Sequence, residues 1–124
     1  MKKTIMIDGR AVEFSSTAAI PRLYRIKFKR DIFVDSAKVK KALELERERQ
    51  NSTQEDASML PPEALELFEN IAFIMAKHAN KDKIPDTVED WMDSFETFSI
   101  YEILPQILEM WDDNSQQLSI PAKK

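Results

Sequence analysis

The sequence predicts a mainly α fold with a small N-terminal β-hairpin, an α+β arrangement of four to five helices in one compact domain. Three observations carry this. Asp8-Gly9 separates two short alternating segments, Thr4 to Ile7 and Arg10 to Phe14, and a two-residue Asp-Gly loop suits a type I′ turn, in which both central residues take positive φ. The segments "PEALELFENIAFIMAKHA" and "IPDTVEDWMDSFETFSIYEILPQILEMW" repeat apolar residues at helical spacing. A chain of 124 residues is long enough to bury one real core but not two.

The hairpin spans residues 4–14 and, being marginal alone in water, must lean on something helical. "RLYRIKFKR", residues 22–30, has two readings. As a strand it places Tyr24, Ile26 and Phe28 on one face. As a helix over about 18–29 it aligns Ile20, Leu23, Tyr24 and Phe28, with Arg22, Arg25 and Lys29 gathered elsewhere. Ser16 and Thr17 are capping types, Pro21 suits a first helical turn, and no turn precedes the segment, so the helix is favoured.

Asp35 is then the expected cap of a helix over about 36–50, whose charged later half pairs Glu44 with Arg47 and Glu46 with Arg49. "NSTQEDASMLPP" reads as a mobile loop over 51–61. Pro62 opens the strongest helix, 62–79, with Leu65, Phe68, Ile71, Ala72, Ile74, Met75 and Ala79 on one arc and Glu66, Glu69, Asn70 and Lys77 opposite. Phe73 points into the polar arc and is a candidate for partner contact or for a satellite contact under the preceding loop.

A helix over 87–98 follows, capped by Asp86 or Thr87, with Val88, Trp91, Met92, Phe95 and Phe98 in one stripe. Ser99 and Glu102 form a capping box for a last helix over 100–112, which Pro105 should kink from its polar side. The domain is expected to span 1–112, with 113–124 a flexible tail.

Composition narrows the chemistry. With no cysteine, the chain has no disulfide, thiolate zinc site or cysteine nucleophile. One histidine makes no metal cluster, and one glycine, Gly9, cannot build a phosphate-cradling loop. The carboxylate pairs Glu66/Glu69, Asp90/Asp93 and Asp112/Asp113 fall on polar faces and read as solvated surface; His78 reads as an edge-of-core imidazole. The expectation is a protein that is not an enzyme, with no catalytic residues, no cofactor and no metal.

No run approaches the roughly 18 apolar residues of a membrane span, and the opening apolar stretch ends at Asp8, short of a signal-peptide core. A cytosolic protein is expected. The net charge of −4 conceals a split: residues 1–41 hold 11 Lys/Arg against 4 Asp/Glu, and residues 42–124 hold 7 against 18. That asymmetry points to a charged partner, to self-association, or to two faces of one fold. The basic segment 22–30 could contact phosphates, but its aromatics are used on the apolar face of a helix and the acidic whole repels nucleic acid.

The segments "IDGRAVEF", "PRLYRIKFKRDIF", "ALELFENIAFIMAKHA" and "IPDTVEDWMDSFETFSIYEILPQILEMW" occur in an order that resembles the tail assembly chaperones of long-tailed, siphovirus-type phages and prophages of Gram-positive bacteria. The likeness covers roughly residues 3 to 112. In that family a glycine is expected after the phenylalanine of "KFKRD", where this chain has Lys29. The resemblance implies a chaperone that binds the hydrophobic, helical tape measure protein in the host cytoplasm, keeps it soluble, promotes tail tube assembly around it and is absent from the mature virion. It also implies a longer product made by programmed frameshifting that recruits the tail tube protein; composition and charge, for their part, lead to the expectation of neither nucleic acid nor membrane as partner. Tyr24, Phe28 and Phe73 are the candidate apolar contacts and Arg22, Arg25 and Lys29 the candidate rim charges. The alternatives are a small nucleic-acid-binding regulator using residues 22–30 and a structural virion protein.

Overall fold

The structure, a computed structural model, describes residues 2–53 and 60–119. It has the expected architecture, a two-stranded antiparallel hairpin followed by helices. Strands β1 (Lys2–Ile7) and β2 (Arg10–Ser15) pair with Ile7 opposite Arg10, which leaves Asp8 and Gly9 as the loop. Their φ angles, 55° and 75°, are those a type I′ turn demands. Ile5, Ile7, Val12 and Phe14 form the buried face; Thr4, Met6, Ala11 and Glu13 face outward.

Helix α1 (Ile20–Phe28) settles the two readings of residues 22–30 in favour of the helix. Ile20 and Tyr24 are buried, with Leu23 and Phe28 packed against the core. Pro21 lies in the first turn, and the Thr17 hydroxyl accepts a hydrogen bond from Ala19 N (3.2 Å) just ahead of it. The helix stops at Lys29, which takes the left-handed conformation (φ 60°, ψ 36°) while its N–H still donates to Arg25 O. This is the position where helices prefer glycine, because a Cβ is strained there. Lys29→Gly is therefore expected to raise stability by about 0.5–1 kcal/mol, as read from urea midpoints; an unchanged or lower midpoint would contradict the strained cap.

Helix α2 (Ile32–Thr53) begins four residues before the expected start. Asp31, not Asp35, caps it: its carboxylate accepts from Phe33 N (2.8 Å) and its carbonyl from Asp35 N (3.0 Å). Asp35 lies in the first turn and is buried. The helix also takes in residues 51–53 of the expected loop, and 54–59 lie outside the described residues.

Helix α3 (Pro62–Ala79) is the centre of the fold, packed against by β2, α1, α2 and α4. The expected half-apolar wheel is therefore too narrow, since residues 71–76 are buried without interruption. A helix enclosed on most sides needs apolar residues on most sides, and each fully buried Ile or Phe contributes roughly 1.5–3 kcal/mol.

Helix α4 (Val88–Asp93) starts as expected, with the Thr87 hydroxyl accepting from Asp90 N (3.1 Å), but ends five residues earlier than the stripe implied. Ser94 hydroxyl and N–H both turn back to Trp91 O, and the hairpin takes over the next residues. Asp8 accepts from Glu96 N (3.0 Å) and the Thr97 hydroxyl (3.2 Å), and Arg10 donates to Ser94 O (2.8 Å). Phe95 and Phe98 still reach the core, from irregular chain.

Helix α5 (Ile100–Ser119) runs through Pro105 and past residue 112, so residues 113–119 of the expected tail are helical, and 120–124 lie outside the described residues. Its buried Ile103, Leu104, Ile107, Leu108, Met110 and Trp111 complete the core, and Trp111 Nε1 donates to the Ser36 hydroxyl of α2 (3.1 Å).

Candidate functional site

The six residues expected to meet a partner divide into two groups. Arg22, Arg25 and Lys29 are exposed on α1. Tyr24 and Phe73 are 0% and 1% exposed and belong to the interior, whereas Phe28 is half-buried at the edge of the core. Tyr24 packs on Phe28 with ring centroids 5.0 Å apart and donates its hydroxyl to Asp35 (2.7 Å). Burial first, then the Asp35 carboxylate, pushes its phenol far above the ordinary tyrosine range.

Phe73 meets Trp91 edge-on at 5.9 Å, beneath the ammonium of Lys27, which lies 5.5 Å from its ring. The wheel put Phe73 among polar residues; α4 and Lys27 cover that side of α3. Among the described residues the cover comes from Trp91 of α4 and from Lys27, and residues 54–59 of the preceding loop lie outside the described residues.

What α1 shows outward is a stripe. Arg22, Arg25 and Ile26 fall at i, i+3 and i+4, Lys29 follows at the cap, and Ile26 is 54% exposed. At the C-terminal end of the stripe a cleft of about 430 Å³ lies between α1 and α2, lined by Pro21, Arg25, Lys29, Arg30, Asp31, Ile32 and Phe33. Not every cation near it is available. Arg30 grips Asp35 with Nε at 2.7 Å and Nη2 at 2.9 Å, and Lys27 donates to the Asp86 carbonyl.

A second concavity, of about 380 Å³, lies between α2 and α3. Ala42, Leu45, Pro61, Ala64 and Leu67 give it an apolar lining, and Lys38, Lys41, Glu46 and Glu63 edge it. Leu45 is 56% exposed. Sequence reasoning missed this groove because Leu45 sits in a charged run, "ALELERERQ", and its apolar neighbours come from the facing helix.

One charged loop is structural. Lys77 Nζ donates to Lys81 O (3.1 Å), Ile84 O (2.6 Å) and Asp86 Oδ1 (3.0 Å), folding the loop after α3 over that helix's end. Its hydrogen bond and charge hold the exposed Asp86 carboxyl below its usual range. Of the carboxylate pairs expected to be solvated, Glu69 is half-buried, and burial followed by the charge of Glu66 pushes its carboxyl up. His78 sits at the edge of the core as expected, with Nε2 3.2 Å from the Thr17 hydroxyl. Among the described residues no group of three His, Cys, Asp or Glu side chains could hold a metal ion, and no helix is long and apolar enough to cross a membrane.

Comparison with known proteins finds no matching family model, no matching curated protein and no matching solved structure.

Proposed function

We propose that this protein is a non-enzymatic tail assembly chaperone that binds a phage tape measure protein, keeps it soluble in the host cytoplasm and promotes assembly of the tail tube around it. The observation that carries the reading is the α2–α3 groove, an apolar floor with Leu45 standing out of it and charges of both signs along its edges. An amphipathic helix lays its apolar stripe into such a groove. The lining on α2 runs from Lys38 to Glu46, about 12 Å or two helical turns, which suits one i, i+4, i+7 set of apolar side chains. A tape measure helix is long, hydrophobic and in need of masking, and the order of motifs that resembles the tail assembly chaperones supplies that client. The longer, frameshifted form that recruits tail tube protein belongs to the same proposal.

The test is co-expression with the tape measure protein of the same genome, followed by size exclusion in low and high salt. A soluble, nucleic-acid-free complex that persists in salt is expected. Leu45→Asp is expected to leave folding stability, read from urea denaturation, within about 0.5 kcal/mol of wild type, since the side chain is largely exposed, and to lose most of the soluble tape measure protein. An insoluble tape measure protein, with this chain instead carrying nucleic acid that salt strips away, would overturn the reading in favour of a nucleic-acid-binding regulator.

A further inference from the structure

We propose that the outer stripe of α1, together with the cleft at its C-terminal end, is a docking site for an acidic amphipathic helix. The side chains of Arg22, Arg25 and Lys29 form no hydrogen bond or ion pair among the described residues, in contrast to those of Lys27 and Arg30 beside them. They lie at i, i+3 and i+7, so the exposed face repels itself, and carboxylates brought alongside would relieve that repulsion. Ile26 stands among the three, and Phe33, 38% exposed, forms the far wall of the cleft. The pattern is the negative image of a helix with one or two branched apolar side chains flanked by Glu or Asp.

Charge and shape disfavour a polyanion. The chain as a whole carries −4 and repels nucleic acid at a distance. The free cations span only about 10 Å of helix, too short to track a phosphate backbone. An apolar Ile26 at the centre of the stripe has no partner on a row of phosphates. An acidic helix of any origin meets the requirements, so the site stands apart from the tape measure reading.

The test is fluorescence anisotropy of a labelled amphipathic peptide of roughly five turns, with a leucine stripe flanked by glutamates. Its lysine-flanked counterpart, a single-stranded DNA oligonucleotide and phosphatidylserine vesicles are the competitors. The acidic peptide is expected to bind, more weakly as salt rises. The Arg22→Glu, Arg25→Glu, Lys29→Glu triple variant should bind it at least roughly 10-fold less tightly, and Ile26→Asp should do the same at high salt. Lys29→Gly separates binding from folding, because it removes one cation while relaxing a strained backbone: affinity should fall about 2-fold while thermal stability rises. Should the triple variant fail to fold, the two single variants decide. Peptide affinity indifferent to these changes, or tighter binding of the oligonucleotide or the vesicles, overturns the proposal.

Discussion

Trp91→Ala is expected to cost about 3–5 kcal/mol of folding stability. Trp91 is 1% exposed and stands where three parts of the chain meet. Phe14 of β2 packs on it at 6.4 Å, Phe73 of α3 at 5.9 Å, and Phe95 and Phe98 of the irregular segment after α4 at 5.5 and 5.7 Å. The four ring pairs are edge-on, the arrangement that aromatic quadrupoles favour. Alanine leaves a cavity that rigid rings on four sides cannot collapse to fill, so the packing term adds to the lost transfer energy.

A domain of this size has about 5–15 kcal/mol in total, so the loss removes a large part of it and lowers Tm by on the order of 10–20 °C. Urea denaturation followed by far-UV circular dichroism measures it. Trp91→Phe, which keeps a ring in the site, should lose less than half as much. A loss under about 1.5 kcal/mol for the alanine variant would mean that the cluster is not packed around Trp91.

The aromatic cluster also marks where sequence reasoning stops. Val88, Trp91, Met92, Phe95 and Phe98 lie at helical spacing, and all of them do reach the core. The spacing identified which residues are inside. It did not give the conformation, because the chain after Ser94 is held from more than 80 residues away: Asp8 holds Glu96 N, and Arg10 holds Ser94 O and lies 4.3 Å over the Phe95 ring. No local signal encodes a long-range cap of that kind.

Phe73 taught the converse lesson. A helical wheel divides a helix into two sides, and α3 has neighbours on nearly all sides, so a residue on the nominally polar arc became one of the most enclosed. The hairpin turn and the α1 reading were legible because Asp8-Gly9 and Pro21 impose their geometry locally. The start of α2 was not: the structure uses Asp31 as the cap, while Tyr24 and Arg30 draw Asp35 into the interior. Of the candidate partner contacts, the cations were legible as exposed and Tyr24 and Phe28 as one apolar face, but the burial of Phe73 was not legible.

Asp35→Ala is expected to cost about 2–4 kcal/mol. The Asp35 side chain is 1% exposed and accepts three hydrogen bonds: from the Tyr24 hydroxyl (2.7 Å), Arg30 Nε (2.7 Å) and Arg30 Nη2 (2.9 Å). Its two partners fare differently when it is removed. Arg30 is 42% exposed and can turn to water, so its share of the loss is small. Tyr24 is enclosed, and its hydroxyl is left in the core without this acceptor. Tyr24→Phe in the Asp35→Ala background should therefore cost less than in wild type, with a coupling of about 1–2 kcal/mol by double-mutant cycle.

The same carboxylate makes stability depend on acid. Burial opposes its ionisation, but hydrogen bonds from Arg30 and Tyr24 and the charges of Arg30 and Lys38 outweigh burial and hold the carboxyl below the usual 3.8. A group lowered by folding contributes stability that is fully present above its unfolded value and is lost as pH falls through the folded one. Asp35→Asn lacks that titration while every other carboxylate is shared with wild type. The gap in urea midpoint between the two proteins should therefore be widest near about pH 6 and close as the pH falls towards about 2. A gap that stays constant over that range would mean that the Tyr24–Asp35–Arg30 contact does not depend on the carboxylate's charge.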